Sequence, residues 1–342
     1  FYMPVTIKEI AALANVSRGT VDKVLNNRPG VKDTTREKVL KIAKQLNYQP
    51  NFIGKALVHS RDPIKLGIIL TPDYNPFVQD LLTGINNAQE EFSAFGIEVI
   101  TKMMTSLEPA EQLSIINELV EANVSGMAVF PLDDPQVFSR INHLIENQMA
   151  VITFNSRIEG IHDLCFVGQN HYKGGRTAAG LLGKIAEPDV EIGVIISSHN
   201  LSCHQDRLHG FQDKLAESYP NVKILDIQEN QDRKEDAFRI TLEYCNKYPN
   251  LGAIYLTSGG ITGVINALEI AEKNPRIKVI CHDITPDTIH FLKNGTVDFA
   301  LGQSPVLQGY QLVKTLFEYL IKNIRPQEII EIPVAITTDE SL

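Results

Sequence analysis

The chain has 342 residues, 43% of them apolar, and a net charge of −9. That length calls for two or three domains, and with no run of 18 apolar residues it predicts no membrane-spanning helix. The N-terminus has no charged-then-apolar leader, and the four cysteines (Cys165, Cys203, Cys245 and Cys281) are widely spaced without a C-x-x-C, so the expected compartment is a reducing cytoplasm. The charge is divided unequally. Residues 1–62 hold eleven Lys and Arg against five Asp and Glu, and the remainder holds 21 against 36. A basic head on an acidic body fits one part that meets phosphate and another that must not.

The head opens with Thr6 and Glu9 at capping-box spacing, followed by Ile7, Ile10, Ala11 and Ala14 at helical spacing. Ala14-Asn15-Val16 predicts a turn, Ser17 caps a second helix with Val21, Val24 and Leu25 inside, and Thr34 with Glu37 repeats the capping-box spacing ahead of Val39, Ile42, Ala43 and Leu46. Two helices joined by a three-residue turn are a helix-turn-helix, whose second helix enters the major groove. Its outward residues are Ser17, Arg18, Gly19, Thr20, Asp22 and Lys23. Arg and Lys can donate to guanine O6 and N7, which makes Arg18 and Lys23 the candidates for base readout, with phosphate contact the plainer alternative. Gly19 lets the DNA backbone come close or merely weakens the helix. Asp22 would repel phosphate and is expected to pair locally or point away.

The run T-I-K-E-I-A-A-L-A-N-V-S-R-G-T-V-D-K-V-L-N-N-R-P-G-V, with T-R-E-K-V-L and L-N-Y-Q-P-N after it, resembles the DNA-binding domain of the lactose-repressor (LacI/GalR) family. The resemblance implies a DNA-binding surface that also takes in Thr6, Ser17, Gly19, Thr20, Asn26, Thr35, Asn51 and Lys55. It further implies a hinge helix over residues 51–57, with Leu57 placed as a wedge between base steps in the minor groove. Gly54 stands where the family commonly has Ala, which predicts a hinge helix that forms only on DNA beside a partner hinge.

Beyond a connector at 59–63, short apolar strands alternate with amphipathic helices, the pattern of a parallel α/β body. Strands are predicted at 65–70, 98–101, 126–130, 150–154, 164–167, 191–197, 223–228, 253–256, 278–281, 299–302 and 329–336. Helices fall between them at 76–95, 108–122, 134–147, 172–185, 203–219, 233–248, 261–273, 285–294 and 306–322. So many units suit two lobes better than one open sheet, with a ligand cleft at the carboxyl ends of the strands. Segments such as T-P-D-Y-N-P-F, V-I-T-F-N-S-R, D-R-L-H-G-F, C-H-D and G-Q-S-P are similar to those of ribose-binding-type periplasmic proteins. That resemblance implies three crossings between lobes, near 155–170, 302–306 and 323–328. The expected domains are therefore a helix-turn-helix head (1–50), a hinge and linker (51–63) and a two-lobed body (64–342). Lobe one would take 64–168 and 304–324, and lobe two 169–303 and 325–342.

Sugars are bound by amides, carboxylates and guanidinium groups with aromatic faces beside the ring. The cleft candidates are polar or aromatic residues just past strands, Asn75 and Phe77, Asn155 and Arg157, Asp283 and Gln303, together with Arg207, which the resemblance implies from its place three residues before Gly210-Phe211. Each has a plainer reading: helix cap for Asn75 and Asp283, hinge turn for Asn155, solvated side chain for the arginines. Ser258-Gly259 replace the Asn-Asp common in relatives, which leaves the effector open, with a sugar phosphate or nucleobase as alternatives to a sugar. No H-E-x-x-H, G-x-S-x-G or phosphate loop occurs, and Cys281 and His282 alternate faces on one strand, so no enzyme, metal or cofactor is expected. The combined expectation is a homodimeric transcriptional repressor controlled by a small effector, with a periplasmic-type solute-binding protein and a sugar-metabolising enzyme as the other classes.

Overall fold

The computed structural model describes residues 5–25, 29–46, 48, 63–73, 76–273 and 277–342. Three helices make the head: α1 (Ile7–Ala14), α2 (Arg18–Leu25) and α3 (Asp33–Gln45). Asn15 closes α1 in the left-handed conformation at φ 55°, which turns the chain into α2. Ile10, Ala11, Ala14, Val21, Val24, Val39 and Ala43 meet in one small core. The cap predicted at Thr34 and Glu37 is not formed. The helix starts two residues earlier, with Lys32 as an N-cap that makes no side-chain bond and Asp33 in the first turn, where a carboxylate suits the helix dipole.

The body holds two six-stranded sheets. The first comprises β1 (Ile64–Leu70), β2 (Ile97–Met103), β3 (Gly126–Val129), β4 (Ala150–Phe154), β5 (Cys165–Gln169) and β11 (Ile329–Ile332), in the order β11-β5-β4-β3-β1-β2. The second comprises β6 (Glu191–Ile196), β7 (Lys223–Glu229), β8 (Leu251–Leu256), β9 (Lys278–His282), β10 (Phe299–Gly302) and β12 (Ala335–Thr337), in the matching order β12-β10-β9-β8-β6-β7. All pairings are parallel except β10 with the edge strand β12. Strands such as β3, β4 and β5 are buried throughout, which explains their unbroken apolar runs: helices cover both faces.

The first lobe carries α4 (Pro76–Ser93), α5 (Pro109–Glu121), α6 (Pro135–Glu146) and, late in the chain, α12 (Pro305–Leu320). The second carries α7 (His171–Ile185), α8 (Ser202–Ser218), α9 (Lys234–Lys247), α10 (Ile261–Ile270) and α11 (Pro286–Lys293). The single strand predicted over 329–336 is two strands in different sheets. Pro333 has no N–H to continue β11's ladder, and the chain leaves for the other lobe there. The third crossing is thus at 333–334 and not at 323–328, and β11 belongs to lobe one. The first crossing follows Gln169 and the second follows Gly302. No helix among the described residues is long and apolar enough to cross a membrane.

Candidate functional site

Two surfaces gather the chemistry. On the head, the Thr6 backbone N–H donates to Glu9 Oε2 at 2.7 Å, and the Glu9 N–H donates back to Thr6 Oγ1 at 3.3 Å. That bond from the Thr6 backbone, first, and the Thr6 hydroxyl, second, pull the Glu9 carboxyl below its usual range. Thr6 is thereby committed to a cap. Ser17 accepts the Thr20 N–H at 3.1 Å and pairs with the Thr20 hydroxyl at 2.9 Å, which fixes the start of α2. With Val21 and Val24 held inward, Ser17, Arg18, Gly19 and Lys23 are left on the exposed face and Thr20 at its edge. A Cβ at Gly19 would meet only Ser17 Oγ, at 3.8 Å, so the head's own packing does not demand a glycine there. Asp22 is half-buried and acts on Tyr48, whose hydroxyl pKa is raised by burial first and by Asp22 second. Thr35 is half-buried in the first turn of α3. Asn26, Asn51, Lys55, Leu57 and the hinge lie outside the described residues, as does Asn75 in the body.

In the body, the strand ends of the two lobes face each other across a closed cavity of about 40 Å³. Phe77 and Asn155 enter it from the first lobe, Arg207 and Asp283 from the second, and Gln303 from the crossing. Arg157 does not join them. It is exposed and lines a separate hollow of about 170 Å³ with Gln169, His171 and Asp206. Two larger hollows, about 610 and 410 Å³, share walls with the central cavity: Asp232 and Asp283 in the first case, Leu107 and Gln231 in the second.

Asn155, Gln231, Asp232, Asp283 and Ser304 all adopt positive φ, from 49° to 71°. Such strain gathers where a side chain must be aimed rather than merely packed. Arg207, on α8, is 2% exposed. Its Nη1 donates to the Thr257 carbonyl at 2.6 Å, while Nε and Nη2 have no partner among the described residues. Gln303 Nε2 donates to Asp283 Oδ1 at 2.5 Å and leaves its own Oε1 unpaired, as is Asn155 Oδ1. Buried polar atoms are rarely left so without a ligand or water to meet them.

The opposing acid was not anticipated. Asp232 accepts the Ser197 hydroxyl at 2.6 Å and the Gly259 N–H at 2.7 Å. Its carboxyl pKa is raised, by burial first, and the nearby Asp283 charge adds to the rise while Arg207 opposes it. Ser258 donates to Asn230 at 2.9 Å. The Ser258-Gly259 departure thus serves to hold the segment that presents Asp232. His204 also lines the cavity, bonded through Nδ1 to Thr257 Oγ1 at 3.0 Å. His171, His204 and His282 are all buried, and burial first, with the Arg207 charge second, pushes each imidazole well below its usual pKa. Asn230-Gln231-Asp232 is a polar run directly past a strand, so the rule that found Asp283 could have found it too.

The thiols near the site are not nucleophiles. Burial pushes Cys203 up to about 11 and holds Cys281 protonated, and His282 pairs with the Tyr255 hydroxyl at 2.9 Å. No cluster among the described residues could hold a metal ion. The cavity offers guanidinium and amide donors beside carboxylate and amide acceptors, with Phe77 and Phe130 in its wall. That set suits a ligand carrying several hydroxyls, each able to give and take a hydrogen bond.

Comparison with known proteins follows the same division. Residues 6–51 match the family of bacterial regulatory proteins, lacI family, and residues 66–323 match the periplasmic binding protein domain. The HTH-type transcriptional regulator MalR of Streptococcus pneumoniae is 35% identical over 123 residues, 34% of this chain and 36% of its own length. The HTH-type transcriptional repressor PurR of Aliivibrio salmonicida is 25% identical over 216 residues, 62% of this chain and 61% of its own. The chain thus spans less than two thirds of the length of these curated relatives. An ABC transporter solute-binding protein from Burkholderia graminis, solved with D-arabinose, superposes with a TM-score of 0.75 at 23% identity, covering 81% of this chain and 96% of that one; the likeness is one of fold.

Proposed function

This chain belongs to the lacI family of bacterial regulatory proteins by its head and to the periplasmic binding protein domain family by its body, and from that premise we propose that it is a transcriptional repressor whose grip on operator DNA is set by a small, uncharged sugar. In this reading two heads of a homodimer lie in successive major grooves, and α2 presents Arg18 and Lys23 to base edges. Ser17, Thr20 and Thr35 are assigned to phosphate contact, with Gly19 leaving room for the DNA backbone. Sugar in the cleft changes the angle between lobes and so the spacing of the two hinges. Coupling of this kind is typically about 1–3 kcal/mol.

One observation carries the effector class: Arg207 brings two unpartnered N–H groups into the same closed cavity as the carboxylates of Asp232 and Asp283. A phosphate ester would need several cations there and would meet two acids. The second arginine that could have served it, Arg157, lines a different hollow. Asn155 and Gln303, each with a free amide oxygen, are assigned to sugar hydroxyls, and Phe77 to the ring face.

The test is a thermal-shift screen of free aldoses and ketoses against their phosphate esters. A bound ligand raises apparent stability with its concentration. The reading expects at least one free sugar to raise the midpoint and its phosphate to have no effect. A shift produced only by phosphorylated sugars would reverse the assignment. The lacI match over residues 6–51 supports this reading over a periplasmic solute-binding role, and a cytoplasmic location goes with the proposed role.

A further inference from the structure

Gln169 is the last residue of β5, where the chain first leaves lobe one, and it is 2% exposed. Its Nε2 donates to the Gly302 carbonyl at 3.0 Å and to the Pro333 carbonyl at 3.2 Å. Gly302 ends β10 at the second crossing, and Pro333 follows β11 at the third. One side-chain amide therefore ties all three inter-lobe connections together. Its orientation is determined: two carbonyl oxygens converge on one end of the side chain, so that end must be the NH₂ group. Both of its protons are used.

The central cavity, about 40 Å³, leaves little room for a sugar between the strand ends as they stand, so admitting one calls for the lobes to part. The two carbonyls belong to different connections, so rotation of the lobes changes their distances from the one nitrogen. Other bonds also cross between the lobes: His171 Nε2 lies 2.6 Å from the Asn155 carbonyl and the Cys203 N–H donates to Ser156 Oγ at 3.3 Å, both buried, and at the rim the Asp133 N–H donates to the Asn200 carbonyl at 3.0 Å between exposed residues, where water can replace it. Of these bonds, those of Gln169 join all three connections.

We infer that Gln169 is a hinge clasp, a positioning residue that holds the closed arrangement of the lobes through its two bonds and thereby sets how readily the cleft opens. The inference rests on the reading of the body as a two-lobed effector module, and it is tested without any effector. Cysteines introduced at exposed sites, Glu121→Cys in lobe one and Asn246→Cys in lobe two, carry spin labels in the full-length chain; the four native thiols are buried. The distance distribution is recorded without sugar or DNA for the otherwise unaltered chain, for Gln169→Met, which keeps the bulk and loses both donors, and for Gln169→Glu, which keeps the shape and turns an acceptor toward the carbonyls.

The clasp predicts a closed distance in the unaltered chain. It also predicts a fall of about tenfold or more in the closed-to-open ratio in both variants, with thermal midpoints little changed. An unaltered chain that is already fully open, variants with an unmoved distribution, or a lowered midpoint with no new longer distance would each overturn it. A chain that shows the predicted opening yet responds to no sugar would count against the effector reading and leave the clasp standing.

Discussion

Arg207 lies in the cleft with Asp232 and Asp283, beside imidazoles that burial first and its own charge second push well below their usual pKa. Removing it takes away the cavity's guanidinium donors and leaves two carboxylates unopposed. Arg207→Ala should therefore abolish binding of any sugar found by thermal shift, as read by calorimetry, while operator affinity stays within about twofold. Normal titration by that variant would contradict the cleft assignment. The neutral imidazoles make a second prediction, about pH. The folded pKa values of His171, His204 and His282 lie below the unfolded value of 6.5, so the unfolded chain takes up their protons first. Their stabilisation is complete above pH 6.5 and is lost as pH falls from there towards the folded values. Three such groups give a slope approaching about 4 kcal/mol per pH unit. Urea unfolding at pH 7.5 and 5.5 should reveal it, and His204→Asn should remove about a third; a stability flat across that range would refute the neutral cluster. Asp283 could be read in the sequence because it sits just past a strand, and Arg207 because it falls in the D-R-L-H-G-F segment, three residues before Gly210-Phe211. Asp232 was passed over because 230–232 looked like a bare connection between strand and helix. His204 was passed over because its buried companions His171 and His282 come from other elements, which no local spacing reveals.

Helix pairs set where these side chains stand. α7 and α8 meet backbone to backbone: a Cβ on Gly175 would lie 1.9 Å from the Arg207 carbonyl, and one on Gly210 would lie 2.0 Å from the Tyr172 carbonyl. The first lobe repeats the device with Gly84 against Val306 and Gly309 against Leu81. Gly175→Ala should thus push α8 outward, at about 1–3 kcal/mol for overpacking, and carry Arg207 with it. Sugar affinity should drop at least tenfold, checked by calorimetry beside thermal unfolding; unchanged affinity would detach helix packing from the site. Gly19 in α2 is the contrast, since nothing in the head crowds it. Gly19→Ala should stabilise the head by up to about 1 kcal/mol through helix propensity, visible in thermal unfolding. Weaker operator binding in the same variant would mark a close approach of DNA. Most elements were legible because their apolar runs have one period each. Legibility failed at two ends. Asp33 starts α3 ahead of its apparent cap. Residues 329–336 read as one strand because proline interrupts a ladder without interrupting hydrophobicity, and only pairing shows that the halves join different sheets.

At the scale of the molecule, charge and architecture divide together. The +6 head can draw phosphate, and the −15 body keeps the rest of the chain off DNA. Operator affinity should fall steeply between 50 and 200 mM salt, about linearly on logarithmic axes. Within the specific complex, Arg18→Ala should cost roughly 1–3 kcal/mol and relax preference at one operator position, as a binding-site selection would reveal; an unaltered preference would assign Arg18 to phosphate. Three crossings join two lobes of matching strand order, and the repressor reading requires that motion between the lobes reach the head. The most direct test is fluorescence anisotropy of the full-length chain on its operator at moderate salt, with and without the sugar that raises its thermal midpoint. The account predicts tight, sequence-selective binding that changes by about fivefold or more with the sugar. Binding that prefers no sequence over random duplex, or an operator affinity the sugar leaves unchanged, would contradict it.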